Sequence, residues 1–179
     1  MFINSHTFYI LRYATLATNQ LLPSLQTLAT TRFALTDINT ASACMNILRM
    51  APEYSISPSV GIDFRNGAQQ QFIMLAATNQ GFQNMNDYLS YFLHTKTEIP
   101  EIAETIPHTY VIYPFEKFQQ KQLKEHEFIG VRAQDLNKLK FSPWRKQLHK
   151  LVALQTVSFQ NKKGYNTHRL LRAIDNNTL

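Results

Sequence analysis

Cysteine is almost absent from this sequence, since Cys44 is the only one among 179 residues. A single cysteine excludes an internal disulfide, and its apolar surroundings favour buried filler over a nucleophile. It fits a reducing compartment, and the first residues lack the basic start and apolar core of a signal peptide. No apolar run approaches the roughly 18 residues that span a membrane. We therefore expect a cytoplasmic protein without membrane contact.

Glycine is also scarce, at five residues, and no Walker loop, GxGxxG or GxSxG motif occurs. Charged residues make up only 17% of the chain, against 44% hydrophobic and 12% aromatic residues. This composition predicts one domain over residues 1–179 with a sizeable core. Two interpretations of the surface stay open. Either apolar area is covered by a partner or by further chain, or the surface is simply rich in Gln, Asn and Thr.

The positive charge is concentrated in the second half of the chain. Residues 1–100 carry five Lys/Arg and five Asp/Glu, whereas residues 101–179 carry thirteen and seven, which accounts for the net charge of +6. Such a basic half could attract nucleic-acid phosphates. The alternatives are that these charges form a solvated surface or face an acidic partner. The candidate nucleic-acid contacts are Lys146, Lys150, Lys162, Lys163, Arg169 and Arg172.

Short apolar runs alternate with amphipathic stretches, which is typical of β/α units. Strands are predicted at 2–4, 32–36, 56–63, 71–76, 110–113, 128–131 and 151–159. Helices are predicted at 20–29, 40–50, after a cap at Thr78 or Asn79, at 133–139, 143–149 and 167–174. Polar residues at successive strand ends predict an α/β fold, a β/α barrel of the TIM type. Because the chain is short, we expect a small or distorted barrel, incomplete at fewer than eight strands.

Four segments at predicted strand ends carry polar residues but few of the His, Asp and Glu side chains that a metal site needs. They are Asn4-Ser5-His6-Thr7-Phe8-Tyr9, Leu35-Thr36-Asp37-Ile38-Asn39, Gly61-Ile62-Asp63-Phe64 and Leu151-Val152-Ala153-Leu154-Gln155-Thr156-Val157-Ser158. Their order and spacing resemble the PHP (polymerase and histidinol phosphatase) domain at the N-terminus of the bacterial DNA polymerase III alpha subunit. Active PHP domains hold divalent metals with clustered His, Asp and Glu, at three to four protein ligands per metal.

The resemblance implies that this chain keeps few of those ligands. His6, Asp37 and Asp63 stand at ligand positions and would be the catalytic residues of an active site. Five other ligand positions hold different residues, namely Asn4, Ile38, Gln71, Thr156 and Ser158. Most of these can hydrogen-bond in a polar cavity without a metal. We therefore expect no catalysis and no cofactor, the alternative being zinc, manganese or magnesium in a residual site.

Two further segments resemble the polymerase in particular. They are Asn79-Gln80-Gly81-Phe82-Gln83-Asn84-Met85 and Thr167-His168-Arg169-Leu170-Leu171-Arg172-Ala173-Ile174. The resemblance implies a PHP-like domain cut from a longer polymerase chain. Its partners would be the rest of the alpha subunit, the proofreading exonuclease subunit and, through the holoenzyme, DNA. The polymerase's own catalytic regions have no counterpart in these residues.

Three functions therefore remain open. The first is a non-catalytic structural and docking domain of a replicative polymerase. The second is a metal-dependent phosphoesterase, of the 3′–5′ exonuclease or pyrophosphatase kind, using His6, Asp37 and Asp63. The third is a nucleic-acid-binding module that uses the basic second half. The number of surviving ligands favours the first.

Overall fold

A computed structural model describes residues 2–117 and 122–178. Seven strands form one sheet: β1 (Phe2–Ser5), β2 (Arg32–Ile38), β3 (Ser57–Asn66), β4 (Gln69–Ala76), β5 (Thr109–Pro114), β6 (Glu127–Val131) and β7 (Leu151–Ala153). Five α-helices accompany them: α1 (Thr18–Thr27), α2 (Cys44–Met50), α3 (Asn79–Thr95), α4 (Leu136–Lys140) and α5 (Lys162–Asp175). Short 3-10 turns lie at Ala51–Tyr54, Ala133–Asp135, Pro143–Lys146 and Leu148–Lys150.

The strands lie side by side in sequence order, from β1 to β7. All neighbouring pairs are parallel except those of β4, which runs antiparallel to both β3 and β5. The exception follows from the β3–β4 connection, a tight turn at Gly67 with φ of +57°. A turn of this length can join only antiparallel strands, and glycine adopts a positive φ without strain. Parallel strands need longer crossovers, which the helices and loops elsewhere supply.

The sheet curls until its two edges approach each other. Beyond β7, Val157 forms a parallel bridge with Ser5 of β1. The His6 N–H donates to the Val157 carbonyl at 2.8 Å, and the Val157 N–H donates to the Asn4 carbonyl at 3.0 Å. The result is an incomplete TIM-like barrel with seven strands in place of eight. This confirms the predicted fold class.

Helices cover the outside of the sheet and leave a polar interior near one end. Phe33 and Leu35 of β2 pack outward against the leucines of α1. Ile62 and Phe64 of β3 pack outward against α3, within the largest apolar cluster. Since side chains alternate along a strand, the residues between them face the barrel interior. Ile73, Ile112 and Leu154 form a small apolar layer of their own there.

The predicted bounds differ from the observed ones mainly near the end of the chain. The strand predicted at 151–159 is regular only to Ala153, after which the chain forms just the Val157 bridge. The final helix begins at Lys162, five residues before its predicted start, because the Asn161 side chain caps it by accepting from the Gly164 N–H at 3.0 Å. Among the described residues, no helix is long and apolar enough to cross a membrane.

Candidate functional site

Eight polar side chains meet at one end of the barrel, and we call this group the polar cluster. Its members are Asn4, His6, Thr36, Asp63, Arg65, Gln70, Thr156 and Ser158. Six of them form pairs two residues apart, in the first segment, on β3 and in the closing segment, so that each pair shares one face of the chain. All are buried except Thr156, which is partly exposed. All four sequence segments therefore contribute to this cluster.

Asp63 stands at the centre of the polar cluster. Arg65 donates to its Oδ2 twice, from Nη2 at 2.7 Å and from Nε at 3.0 Å, and Gln70 donates to its Oδ1 at 2.9 Å. His6 Nε2 lies 3.2 Å from the same Oδ2. Burial alone would raise the pKa of the Asp63 carboxyl, but the His6 hydrogen bond and the Arg65 charge outweigh it and lower the pKa. Asp63 is thus a carboxylate held by a fixed guanidinium.

His6 links this carboxylate to the closing segment. Its Nδ1 lies 3.2 Å from Ser158 Oγ while its Nε2 faces Asp63. The order serine, histidine, aspartate is that of a catalytic triad. In a triad the aspartate serves the histidine, whereas here Arg65 and Gln70 already engage both oxygens of Asp63. The His6 side chain is also fully buried, which closes this chain of groups to a substrate.

Asn4 takes over a position that the resemblance assigns to a histidine. Its φ is +85°, in the region where Asn is enriched among non-glycine residues. Its amide donates to Thr156 Oγ1 at 2.8 Å and accepts from Thr36 Oγ1 at 3.0 Å. Two of the positions that the resemblance lists as replaced, Asn4 and Thr156, are therefore bonded to each other. Both groups are satisfied without a metal.

Asp37 lies apart from the other two candidate ligands. It is two residues beyond Leu35, on the face of β2 that packs toward α1 and α2. The Thr7 N–H and the Thr7 hydroxyl each donate to its carboxylate, both at 2.6 Å. Burial raises the pKa of Asp37 in spite of these two hydrogen bonds. Ile38, the next residue, lies at the end of the same strand.

The three predicted ligands therefore do not form a single metal-binding group. His6 and Asp63 are in contact, while Asp37 bonds to Thr7. Across residues 2–117 and 122–178, no group of three or more His, Cys, Asp or Glu side chains is arranged to hold a metal ion. Arg65 adds a positive charge beside Asp63, so the donor set does not fit a PHP-type metal centre.

Sequence reasoning missed Arg65 and Gln70, the two residues that complete the cluster. Arg65 lies beyond the strand predicted at 56–63, and the resemblance matches Gln71, not Gln70, to a ligand position. In the structure β3 extends to Asn66, and an irregularity in its register with β4 places Gln70 opposite Arg65. Gln71 is buried beside it and donates to the Gln69 carbonyl at 3.4 Å. The usable signal was the spacing of Asp63 and Arg65, which puts opposite charges on one face of a strand.

A cavity of about 470 Å³ opens above the polar cluster. Arg65 and Tyr13 line it together with Arg132, whose Nη2 donates to Gln70 Oε1 at 2.7 Å. The guanidinium groups of Arg65 and Arg172 lie 5.6 and 5.1 Å from the centre of the Tyr13 ring. These cation–π contacts and hydrogen bonds fix the mouth of the barrel. Its positive side chains are thus largely occupied within the protein.

The six candidate nucleic-acid contacts lie on two parts of the fold. Lys146 and Lys150 belong to the 3-10 turns before β7, whereas Lys162, Lys163, Arg169 and Arg172 are on α5. Lys150 donates to the Lys124 and Glu125 carbonyls, and Arg172 pairs with Asp175 at 2.6 Å. Arg169 lies 5.9 Å from the centre of the Tyr165 ring, so three of the six have intramolecular partners among the described residues. Binding of nucleic acid at these residues stays a prediction.

Comparison with known proteins adds a fold and no family. No protein-family model and no curated protein matches the chain. The structure of an amidohydrolase from Chromobacterium violaceum, with bound sulfate and no metal, matches with a TM-score of 0.55 and 8% identity, over 88% of this chain and 87% of that one. The chain therefore shares the overall barrel fold of that structure. A provisionally assigned metal-dependent phosphoesterase from Bifidobacterium adolescentis matches with a TM-score of 0.44 and 10% identity, over 99% and 84%.

The amidohydrolase match agrees with the predicted barrel. At 8% identity it extends to the fold alone. The polymerase resemblance still depends on the sequence segments quoted above and stays a prediction.

Proposed function

We propose that the chain is a non-catalytic PHP-type domain that acts as a structural and docking module. The observation that carries the proposal is the state of Asp63. Its two carboxylate oxygens accept from Arg65 and Gln70, and the neighbouring candidate Asp37 lies on the opposite face of its strand. The internal guanidinium supplies, by a fixed hydrogen-bonded ion pair, the positive charge that a metal supplies in an active PHP domain.

Electrostatics favours Arg65 over a metal ion as the permanent partner of Asp63. A divalent cation at Asp63 would have to displace a bidentate guanidinium that is itself only 9% exposed. The displaced arginine would stay next to the metal, and two cations in a low-dielectric interior repel each other strongly. Among the described residues, only one further ligand, His6, is in place to offset this cost, whereas a metal site needs three or four protein ligands.

The specific setting that we propose is the N-terminal domain of a DNA polymerase III alpha subunit. The sequence segments at 79–85 and 167–174 support this setting. Exposed apolar side chains on several elements, including Leu11, Met45 and Phe141, are consistent with surface that a larger assembly covers. The partners would be the rest of the alpha subunit and the proofreading exonuclease subunit, with DNA reached through the holoenzyme.

Metal content tests the non-catalytic part of the proposal. The purified protein is incubated with zinc or manganese, desalted and analysed for bound metal. We expect far less than one equivalent, and no hydrolysis of p-nitrophenyl phosphate or single-stranded DNA with either metal. Two or more tightly bound equivalents, lost in His6→Ala, would overturn it. Docking is tested separately, by binding of this domain to an alpha subunit from which the corresponding domain has been deleted.

A metal-dependent phosphoesterase is the second candidate. The specific observation in its favour is the fold, because a structure that the chain matches with a TM-score of 0.55 is described as an amidohydrolase. That observation supports a hydrolase more directly than it supports a polymerase partner. His6 and Asp63 would be two of its ligands, being 3.2 Å apart. The same metal and hydrolysis measurements decide between the two candidates.

A further inference from the structure

A second cavity lies on the outside of the barrel, away from the polar cluster. It has a volume of about 570 Å³ and is enclosed by α1 on one side and by the segment 157–160 on the other. The closing bridge between Val157 and Ser5 forms its floor. The volume is within the range of about 300–1,000 Å³ that small-molecule pockets occupy. The proposed function assigns no role to this cavity.

The walls of the cavity are apolar and its entrance is polar. Leu16, Leu21, Leu25, Val157 and Phe159 supply the walls. At the entrance, the Gln160 side chain donates to Ser24 Oγ at 2.8 Å and so bridges the two sides. In the part of the chain that the structure describes, no Asp, Glu, Lys, Arg or His lines the cavity. A charged group placed inside would therefore lack a counter-charge, which is costly in an apolar site.

Ser5 places a buried hydroxyl group at this cavity. Its side chain is 1% exposed, it lines the cavity, and its Oγ has no hydrogen-bond partner among the described residues. Its neighbours Asn4 and His6 bond inside the barrel, so Ser5 lies on the opposite, outer face of β1. A buried hydroxyl without a partner costs about 1–3 kcal/mol, and such groups are rare in native proteins.

We propose that this cavity binds a neutral, mainly apolar small molecule whose single oxygen hydrogen-bonds to Ser5 Oγ. The leucine walls select the apolar body, the orphan hydroxyl selects one oxygen, and the absence of charged side chains excludes carboxylates and phosphates. A buried water is a weaker occupant, because an ordered water needs two to four polar partners and the floor offers one.

The test uses 1-octanol as the probe, with octanoate as its charged counterpart. Leucine and valine methyl groups are isotope-labelled, and each probe is titrated up to its solubility while methyl spectra are recorded. We expect 1-octanol to shift the signals of Leu16, Leu21 and Leu25 in a saturable way. Octanoate should bind at least about tenfold more weakly, since its charge must be desolvated. Equal binding of the two probes, or no saturable shift by 1-octanol, would overturn the proposal.

Two variants locate the binding site and the hydrogen bond. Ser24→Phe should block the entrance and abolish the shifts, while Gln26→Phe on the exposed side of α1 should leave them intact. Gln20→Phe is the second blocking variant, should Ser24→Phe fail to fold. Ser5→Ala should weaken 1-octanol binding about fivefold, the value of roughly one hydrogen bond. Shifts that persist in both blocking variants would place the probe elsewhere, and unchanged affinity in Ser5→Ala would refute the assigned contact.

Discussion

Replacing Arg65 tests the central claim that an internal guanidinium holds the candidate site together. In Arg65→Met the side chain keeps much of its volume but leaves the Asp63 carboxylate without its cation. Asp63 is completely buried, so water cannot compensate for the loss. Removing one partner of a buried ion pair typically costs about 3–5 kcal/mol, because an uncompensated charge is left behind. We expect a loss of that size at pH 7, a large part of the stability of a small domain.

The pH dependence distinguishes a charge effect from a packing effect. In the parent protein the pKa of Asp63 is lowered, so its contribution is present above the ordinary pKa of 3.8 and is lost as pH falls through the lowered value. In Arg65→Met the lowering by the Arg65 charge and hydrogen bonds is removed, so the pKa of Asp63 moves upward under the remaining burial, while the His6 hydrogen bond still opposes it. The folded variant therefore takes up its proton at a higher pH than the folded parent does, and it loses less stability as pH falls. The difference between the two proteins should therefore shrink toward pH 4.

Urea unfolding followed by circular dichroism at pH 7 and pH 4.5 measures both effects. Arg49→Gln, an exposed arginine on α2, is the matched control and should change stability by less than about 0.5 kcal/mol. The double variant Asp63→Asn with Arg65→Met removes both charges and should recover most of the loss. A loss below about 1 kcal/mol in Arg65→Met, or one that is the same at both pH values, would refute the reasoning.

Three further predictions concern the scaffold. In Gly81→Ala the new Cβ would lie 2.0 Å from the His108 carbonyl oxygen, so we expect the free energy of unfolding in urea to fall by at least about 2 kcal/mol. In Gly67→Ala only the positive φ opposes the change, and we expect a loss of about 1 kcal/mol. Equal losses in the two variants would contradict this. Burial, with the nearby Asp37 charge, raises the pKa of Cys44 to about 12, so its reaction with a thiol reagent at pH 8 should proceed only as fast as the protein unfolds; rapid labelling of the native protein would count against it. Thr78→Ala removes the side chain that accepts from the Gly81 N–H and should cost about 1 kcal/mol, with an unchanged midpoint as the contrary result.

Local signals predicted most of the fold. Alternating apolar runs predict all seven described strands, whereas the antiparallel direction of β4 follows from the short turn at Gly67. The cap predicted at Thr78 or Asn79 is Thr78. The closing segment could not be predicted to the same degree, because its last residues depend on a single bridge with β1, a contact about 150 residues away in sequence. The strand period continues to residue 158, but the hydrogen-bond ladder does not.

The candidate site divides in the same way between local and long-range causes. Two of the positions that the resemblance assigns to replaced ligands, Asn4 and Thr156, bond to each other, but the resemblance did not point to Arg65 beside Asp63. Strand parity decides the matter: Asp63 and Arg65, two apart on β3, share the inner face, whereas Asp37 occupies the outer face of β2. Opposite charges at positions i and i+2 of a strand, with a buried residue between them, therefore say more about this site than the list of surviving ligands does. Where such a pair includes a would-be metal ligand, the arginine is the first residue to mutate.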